Sequence, residues 1–161
     1  MTKSIEALFK ANIRPITPAD FDFIRNLAAK FPNFTVPSEF LLWFFSQYHP
    51  DYCRILEQEE EGPKAYLLAM PTTAPENGIA IWQVAASPPI QPFSLEYFAA
   101  YLREVIDRTG ASSLSFSASE EAGTLRLIRS LANRFSDCRV SRIGPVPVAQ
   151  GECEFRISPI R

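Results

Sequence analysis

The sequence predicts one α/β domain, residues 1–161, built as a mixed sheet with helices on its faces. Three observations predict it. A block of three β-forming runs, "YCRILEQ", "AYLLAMP" and "IAIWQVAA", fills the chain from Tyr52 to Ala86. Amphipathic helical patterns stand on either side of that block, and the 161 residues suffice for one domain with a substantial core.

In chain order, "NIRPIT" (Asn12 to Thr17) reads as a first strand. Thr17 then caps a helix with Pro18 at its first position and an acid in the first turn. Phe21, Ile24, Leu27, Ala28 and Phe31 form its apolar stripe, which ends near Pro32. Ser38 caps a second helix through "EFLLWFFSQY", apolar nearly all round and therefore read as buried, or as covering a partner or a ligand. "LLWFF" itself reads as core, with a homodimer interface or a lid over an apolar substrate as the alternative.

The three β runs follow, parted by the turn-like "EEEGPK" and "TTAPENG". A third helix carries Leu95, Phe98, Ala99, Leu102, Val105 and Ile106 and stops at Gly110. Ser94 is its expected N-cap, which places Glu96 in the first turn. "SLSFS" is a short strand. Leu125, Ile128, Ala132 and Phe135 mark a fourth helix, and "CRVSRI" and "CEFRIS" close the chain as strands.

Composition narrows the function classes. Charged residues make up 21% and the net charge is −2, so no basic excess is present to neutralise a nucleic-acid backbone. "FLLWFF" is the longest strongly apolar run and is too short to cross a bilayer. The N-terminal stretch lacks the apolar segment of a secretory signal, and Cys53, Cys138 and Cys153 form no CxxC pair; the expectation is a cytoplasmic protein without a disulfide framework. With His49 as the sole histidine, no metal site is expected.

The order of elements resembles the GNAT N-acetyltransferases and, more narrowly, the diaminobutyrate acetyltransferases of ectoine synthesis. "IWQVAASP" (Ile81 to Pro88) is similar to a family stretch reading Trp-Gln-Val-Ala-Val, one residue, then Pro. "IRPITPADFDFIRNL" resembles the family's first strand and helix, "SEFLLWFFSQYHPDYCRILEQ" its second-helix region, and "GECEFRI" a closing strand. The resemblance implies a mostly antiparallel central sheet, acetyl-CoA or a related acyl-CoA as cofactor, and a small-molecule primary amine as partner.

The resemblance also implies site residues. Backbone N–H groups from Val84 through Ala85 to Ala86 would hold the oxyanion and pair with pantetheine. The cofactor motif, Arg/Gln-x-x-Gly-x-Gly/Ala, falls on Gln91-Pro92-Phe93-Ser94-Leu95-Glu96. Gln91 matches, and Gln91, Phe93 and Ser94 are the cofactor-binding candidates; Ser94 and Glu96 replace the glycines. Pro92 cannot donate a hydrogen bond, and an acid in the first helical turn would take the place of a phosphate. The family's thiolate-protonating tyrosine corresponds to Ile128, and an asparagine near the same helix start to Glu121. Substrate tyrosines correspond to Phe40 and Leu42.

Glu57, Glu59 and His49 are the candidate bases. Trp82 and Gln83 lie on opposite faces of a regular strand; Trp82 is read as core, Gln83 as the polar group nearest the reacting centre, and both as substrate candidates. Two functions follow: acyl transfer from a thioester to an amine, or a GNAT-fold ligand- or protein-binding module that has lost CoA binding. An unrelated α/β binding domain is a third. Titration with acetyl-CoA separates the first from the others.

Overall fold

The computed structural model describes residues 11–74, 76–87, 91–119, 133, 135, 137–147 and 151–159; of 91–95, 119 and 159 it describes the backbone alone. The elements run β1 (Ala11–Pro15), a 3-10 turn (Pro18–Asp20), α1 (Phe21–Ala28), α2 (Glu39–Tyr48), β2 (Cys53–Gln58), β3 (Gly62–Thr72), β4 (Gly78–Ala86), α3 (Gln91–Thr109), β5 (Ser113–Ser119), β6 (Cys138–Pro145) and β7 (Glu152–Pro159). The strands form one seven-stranded sheet in the order β1-β2-β3-β4-β5-β7-β6. β1 with β2, β2 with β3, β5 with β7 and β6 with β7 are antiparallel; β4 with β5 is parallel. This is the mixed, mostly antiparallel α/β architecture the sequence predicts. Among the described residues no helix is long and apolar enough to cross a membrane.

The chain divides into two compact units, residues 1–68 with 83–97 and residues 69–82 with 98–161. In the first unit, Thr17 is extended and the Asp20 carboxylate accepts from both its N–H and its hydroxyl. That reciprocal cap starts the 3-10 turn, which feeds α1. α1 turns Ile24, Leu27 and Ala28 inward. Ser38 caps α2 as expected, its Oγ accepting from Leu41 N at 3.1 Å. α2, however, is not buried all round. Leu42 and Phe45 are buried, while Phe40, Trp43, Phe44 and Tyr48 are exposed. "LLWFF" is thus half core and half surface, because a helix laid against one layer covers only one stripe.

In the second unit, α3 buries Phe98, Ala99, Leu102 and Val105 at helical spacing. Gly110 ends it at φ 69°, a left-handed conformation that only glycine adopts without strain. β6 and β7 form a hairpin with a register shift between Arg142 and Gly144, and β7 lies between β6 and β5. Phe135 is buried; Leu125, Ile128 and Ala132, with Glu121, lie outside the described residues. All three cysteines are free thiols.

Candidate functional site

β4 is the element on which most of the expected site falls. Its parallel register with β5 runs from Gly78 beside Ser113 to Ile81 beside Phe116, and β4 itself continues to Ala86. Val84 to Ala86, whose backbone the resemblance assigns to chemistry, lie past that pairing. Val84 is half-buried and Ala85 and Ala86 are buried. At the strand's end the Ser87 N–H donates to Lys64 O at 2.8 Å.

Alternation along β4 places Trp82 and Gln83 on opposite faces, but the assignment of the faces is reversed. Trp82 is 36% exposed and Gln83 is 6% exposed. Gln83 is engaged by the chain's own groups. Its Oε1 accepts from the Tyr66 hydroxyl at 3.0 Å, and its Nε2 donates to Thr35 O at 2.7 Å. A carboxamide that is both donor and acceptor can be buried here because both functions are satisfied. Burial pushes the Tyr66 hydroxyl above the ordinary tyrosine range, so it stays a neutral donor. Sequence reasoning singled out neither Tyr66 nor Thr35. Tyr66 reads as one β-former within "AYLLAMP", and Thr35 takes part through its backbone, which no sequence pattern marks.

The second correction concerns α3. The helix begins at Gln91, so Gln91 to Glu96 lie within it and Ser94 is not its N-cap. There is no acid in its first turn. Glu96 sits further in, where the influence of the helix dipole has fallen off. The reason is Pro92: its fixed φ suits the opening turn of a helix as well as it suits a loop. Glu96 therefore stands outside the turn in which the sequence reading placed it.

The candidate bases are dispersed. Glu57 pairs with Arg14, whose guanidinium also holds Asp20. A carboxylate engaged in that way is poorly placed to accept a proton from a substrate. Glu59 lies in the turn after β2. His49 follows the last residue of α2, among the rings of Phe44, Phe45 and Tyr52. Phe40 lies elsewhere, on a cleft of about 730 Å³ lined by Pro18, Phe21, Asp22, Glu39, Phe40 and Trp43. Its polar lining is acidic, with Glu39 placed 3.6 Å from Arg25.

The second unit has its own cavity, about 300 Å³, whose lining includes Arg103, Ser112, Phe135, Asp137 and Cys138. Arg103 grips Asp137 with both Nη atoms, at 2.6 and 2.8 Å, and holds that exposed carboxyl down to about 2. Burial and then Asp137 push the Cys138 thiol up, away from a nucleophilic thiolate. Arg103 thus faces two carboxylates in this lining, Asp107 and Asp137.

No family model matches the sequence, and no curated protein matches it. Solved structures do. The chain is similar to the diaminobutyrate acetyltransferase EctA from Paenibacillus lautus, solved with L-2,4-diaminobutyric acid and coenzyme A, at TM-score 0.73 and 18% identity over 94% of this chain and 96% of that one. A mutant of the spermidine N-acetyltransferase SpeG from Vibrio cholerae matches at TM-score 0.66 and 11% identity, covering 92% and 93%. A GNAT-family acetyltransferase from Bacillus anthracis matches at TM-score 0.62 and 11% identity, covering 92% and 94%. These likenesses show the fold: the chain is built as the GNAT acetyltransferases are.

Proposed function

We propose that this chain transfers an acyl group from acetyl-CoA, or a related thioester, to the primary amine of a small molecule. The observation that carries the reading is the path from β4 to α3. β4 runs beyond its last residue paired with β5, and the next helix opens at Gln91 with no acid in its first turn.

The residues present fit the cofactor. The first turn of a helix leaves backbone N–H groups without intrahelical partners, and the dipole there favours an anion. Gln91 and Phe93 retain those donors, whereas Pro92 does not. Acetyl-CoA, when bound, supplies an acyl group already activated as a thioester. The chain's own part is to hold charge and exclude alternatives. Backbone N–H groups at Val84 and Ala86 are the donors for negative charge developing on a carbonyl oxygen, while that of Ala85, in step with Ser87, faces β3; they survive side-chain change because they are main chain. Phe40 and Trp43, with Asp22 and Glu39, suit the apolar body and positive charge of an amine. With Glu57 engaged by Arg14, proton removal falls to water in this reading.

Pro92 is the observation favouring the other function, a ligand- or protein-binding module without CoA. Calorimetric or thermal-shift titration with acetyl-CoA separates the two. A ligand bound by the folded chain alone stabilises it by about 2.7 kcal/mol at a hundredfold excess over its dissociation constant. We expect such a shift; its absence at millimolar acetyl-CoA sinks the transferase reading and leaves the binding module.

A further inference from the structure

We infer that Gln83 is a positioning residue whose carboxamide fastens the crossover between α1 and α2 to the end of β4. The inference rests on the proposed transferase activity for its kinetic consequence and on the hydrogen bonds alone for its mechanical one.

The crossover from Ala29 to Ser38 carries Pro32 and Pro37 and belongs to no helix or strand. Among the described residues, two side-chain donors from other segments reach its carbonyls, beside the backbone bonds at its two ends. Arg25 Nε donates to Pro37 O at 3.1 Å, which binds the crossover to α1. Gln83 Nε2 donates to Thr35 O at 2.7 Å, which binds it to the sheet. Thr35 lies just ahead of Ser38, the N-cap of α2. Where Thr35 is pinned therefore decides where α2 enters, and with it where Glu39, Phe40 and Trp43 stand on their cleft.

The chemistry at position 83 is specific. Thr35 O requires a donor and the Tyr66 hydroxyl requires an acceptor, in a site 6% exposed. A carboxamide offers both from one planar group; a methionine of similar length offers neither. Removing it leaves two buried polar atoms without partners, and the crossover carbonyl regains one by moving out to water. The Tyr66 hydroxyl is rooted in β3 and cannot follow. The displacement is thus directed to one segment, the entry to α2. Gln83 touches no substrate in this scheme, so its effect belongs to acceptor binding and not to the thioester or the chemical step.

The test compares wild type with Gln83→Met and Tyr66→Phe. Amide hydrogen exchange at Leu41 and Leu42, whose N–H groups bond to Ser38 at the end of the crossover, reads the tether without any activity. Gln83→Met raises exchange there by about tenfold, the worth of one modest hydrogen bond, while Leu27 and Phe45 amides hold. Tyr66→Phe keeps the bond to Thr35 and changes exchange less than about threefold. In steady-state kinetics, with acetyl-CoA and the best acceptor from a panel of primary amines, Gln83→Met raises the acceptor KM about tenfold and leaves the acetyl-CoA KM within about twofold. Unchanged exchange at Leu41 and Leu42, or a uniform rise throughout α1 and α2, overturns the inference. So does an equal rise in both KM values. If wild type acetylates nothing on the panel, the transferase reading fails separately and the exchange data still decide the tether.

Discussion

Arg14 grips Asp20 with both terminal nitrogens, Nη1 and Nη2 each lying 2.8 Å from a carboxylate oxygen, while its Nε turns to Glu57. Asp20 is 2% exposed, so this is a buried charge held by a partner anchored on β1. Burial alone would push the Asp20 carboxyl up. The Arg14 guanidinium and the Thr17 N–H and hydroxyl outweigh it, and the net position lies below the ordinary 3.8. A depressed carboxyl gives stability that is fully present above its unfolded-state value and is lost as pH falls through its folded-state value. Denaturant midpoints of the wild type should therefore drop below about pH 4. Asp20→Asn should cost about 1.5–3 kcal/mol at neutral pH and remove that part of the acid slope. Parallel acid slopes for the two proteins would contradict the assignment.

Gly78 opens β4 with no room to spare. A Cβ there would meet Ser113 Oγ at 2.7 Å, Ser113 O at 3.0 Å and Thr72 Oγ1 at 3.2 Å. One of these is main chain on the neighbouring strand and cannot swing aside. Gly78→Ala should destabilise by about 1–3 kcal/mol, the usual result of overpacking. Adding Ser113→Ala should restore part of the loss and no more, since the carbonyl contact remains. Thermal melts of the single and double variants measure it; full recovery in the double variant would place the clash on the hydroxyl alone.

Glu96 lies beyond the first turn of α3, which opens at Gln91. Glu96→Gln should leave acetyl-CoA affinity within about twofold, since the dipole acts within the first turn. Calorimetric titration of both proteins decides this. A tenfold tightening in the variant would return Glu96 to the anion site and the helix start to Ser94.

Much of the fold was legible because it rests on periodicity. The runs of β-formers from Tyr52 to Ala86, parted by turn-like stretches, predict β2, β3 and β4, and Ser38 and Gly110 mark helix ends through chemistry that only those ends require. The site was harder to read. Pro92 is compatible with a turn and with an opening helix turn alike, so the sequence does not fix where α3 starts or which turn holds Glu96. Alternation along β4 separated Trp82 from Gln83 but carries no information on which face is covered. That depends on Tyr66 and on the carbonyl of Thr35, both distant in sequence. Glu57 was chosen as a base for its position after an apolar run; its pairing with Arg14 follows from the register that sets Arg14 beside Ile55 and Asn12 beside Glu57.

α2 offers the sharpest contrast between residues of one chemical type. Phe45 is 2% exposed and faces the core, whereas Phe40 is 70% exposed on the cleft side. Deleting a buried phenylalanine removes its transfer free energy and leaves a cavity, so Phe45→Ala should cost about 3–5 kcal/mol. Phe40→Ala removes a ring that is largely in water and should alter stability by about 0.5 kcal/mol or less. Its effect should appear instead in the acceptor KM, because in the proposed scheme Phe40 meets the amine. Urea unfolding and steady-state kinetics on both variants give the two readouts. If Phe40→Ala unfolds the chain as readily as Phe45→Ala, the exposed face of α2 is a packed surface after all, and the cleft loses its claim on a substrate.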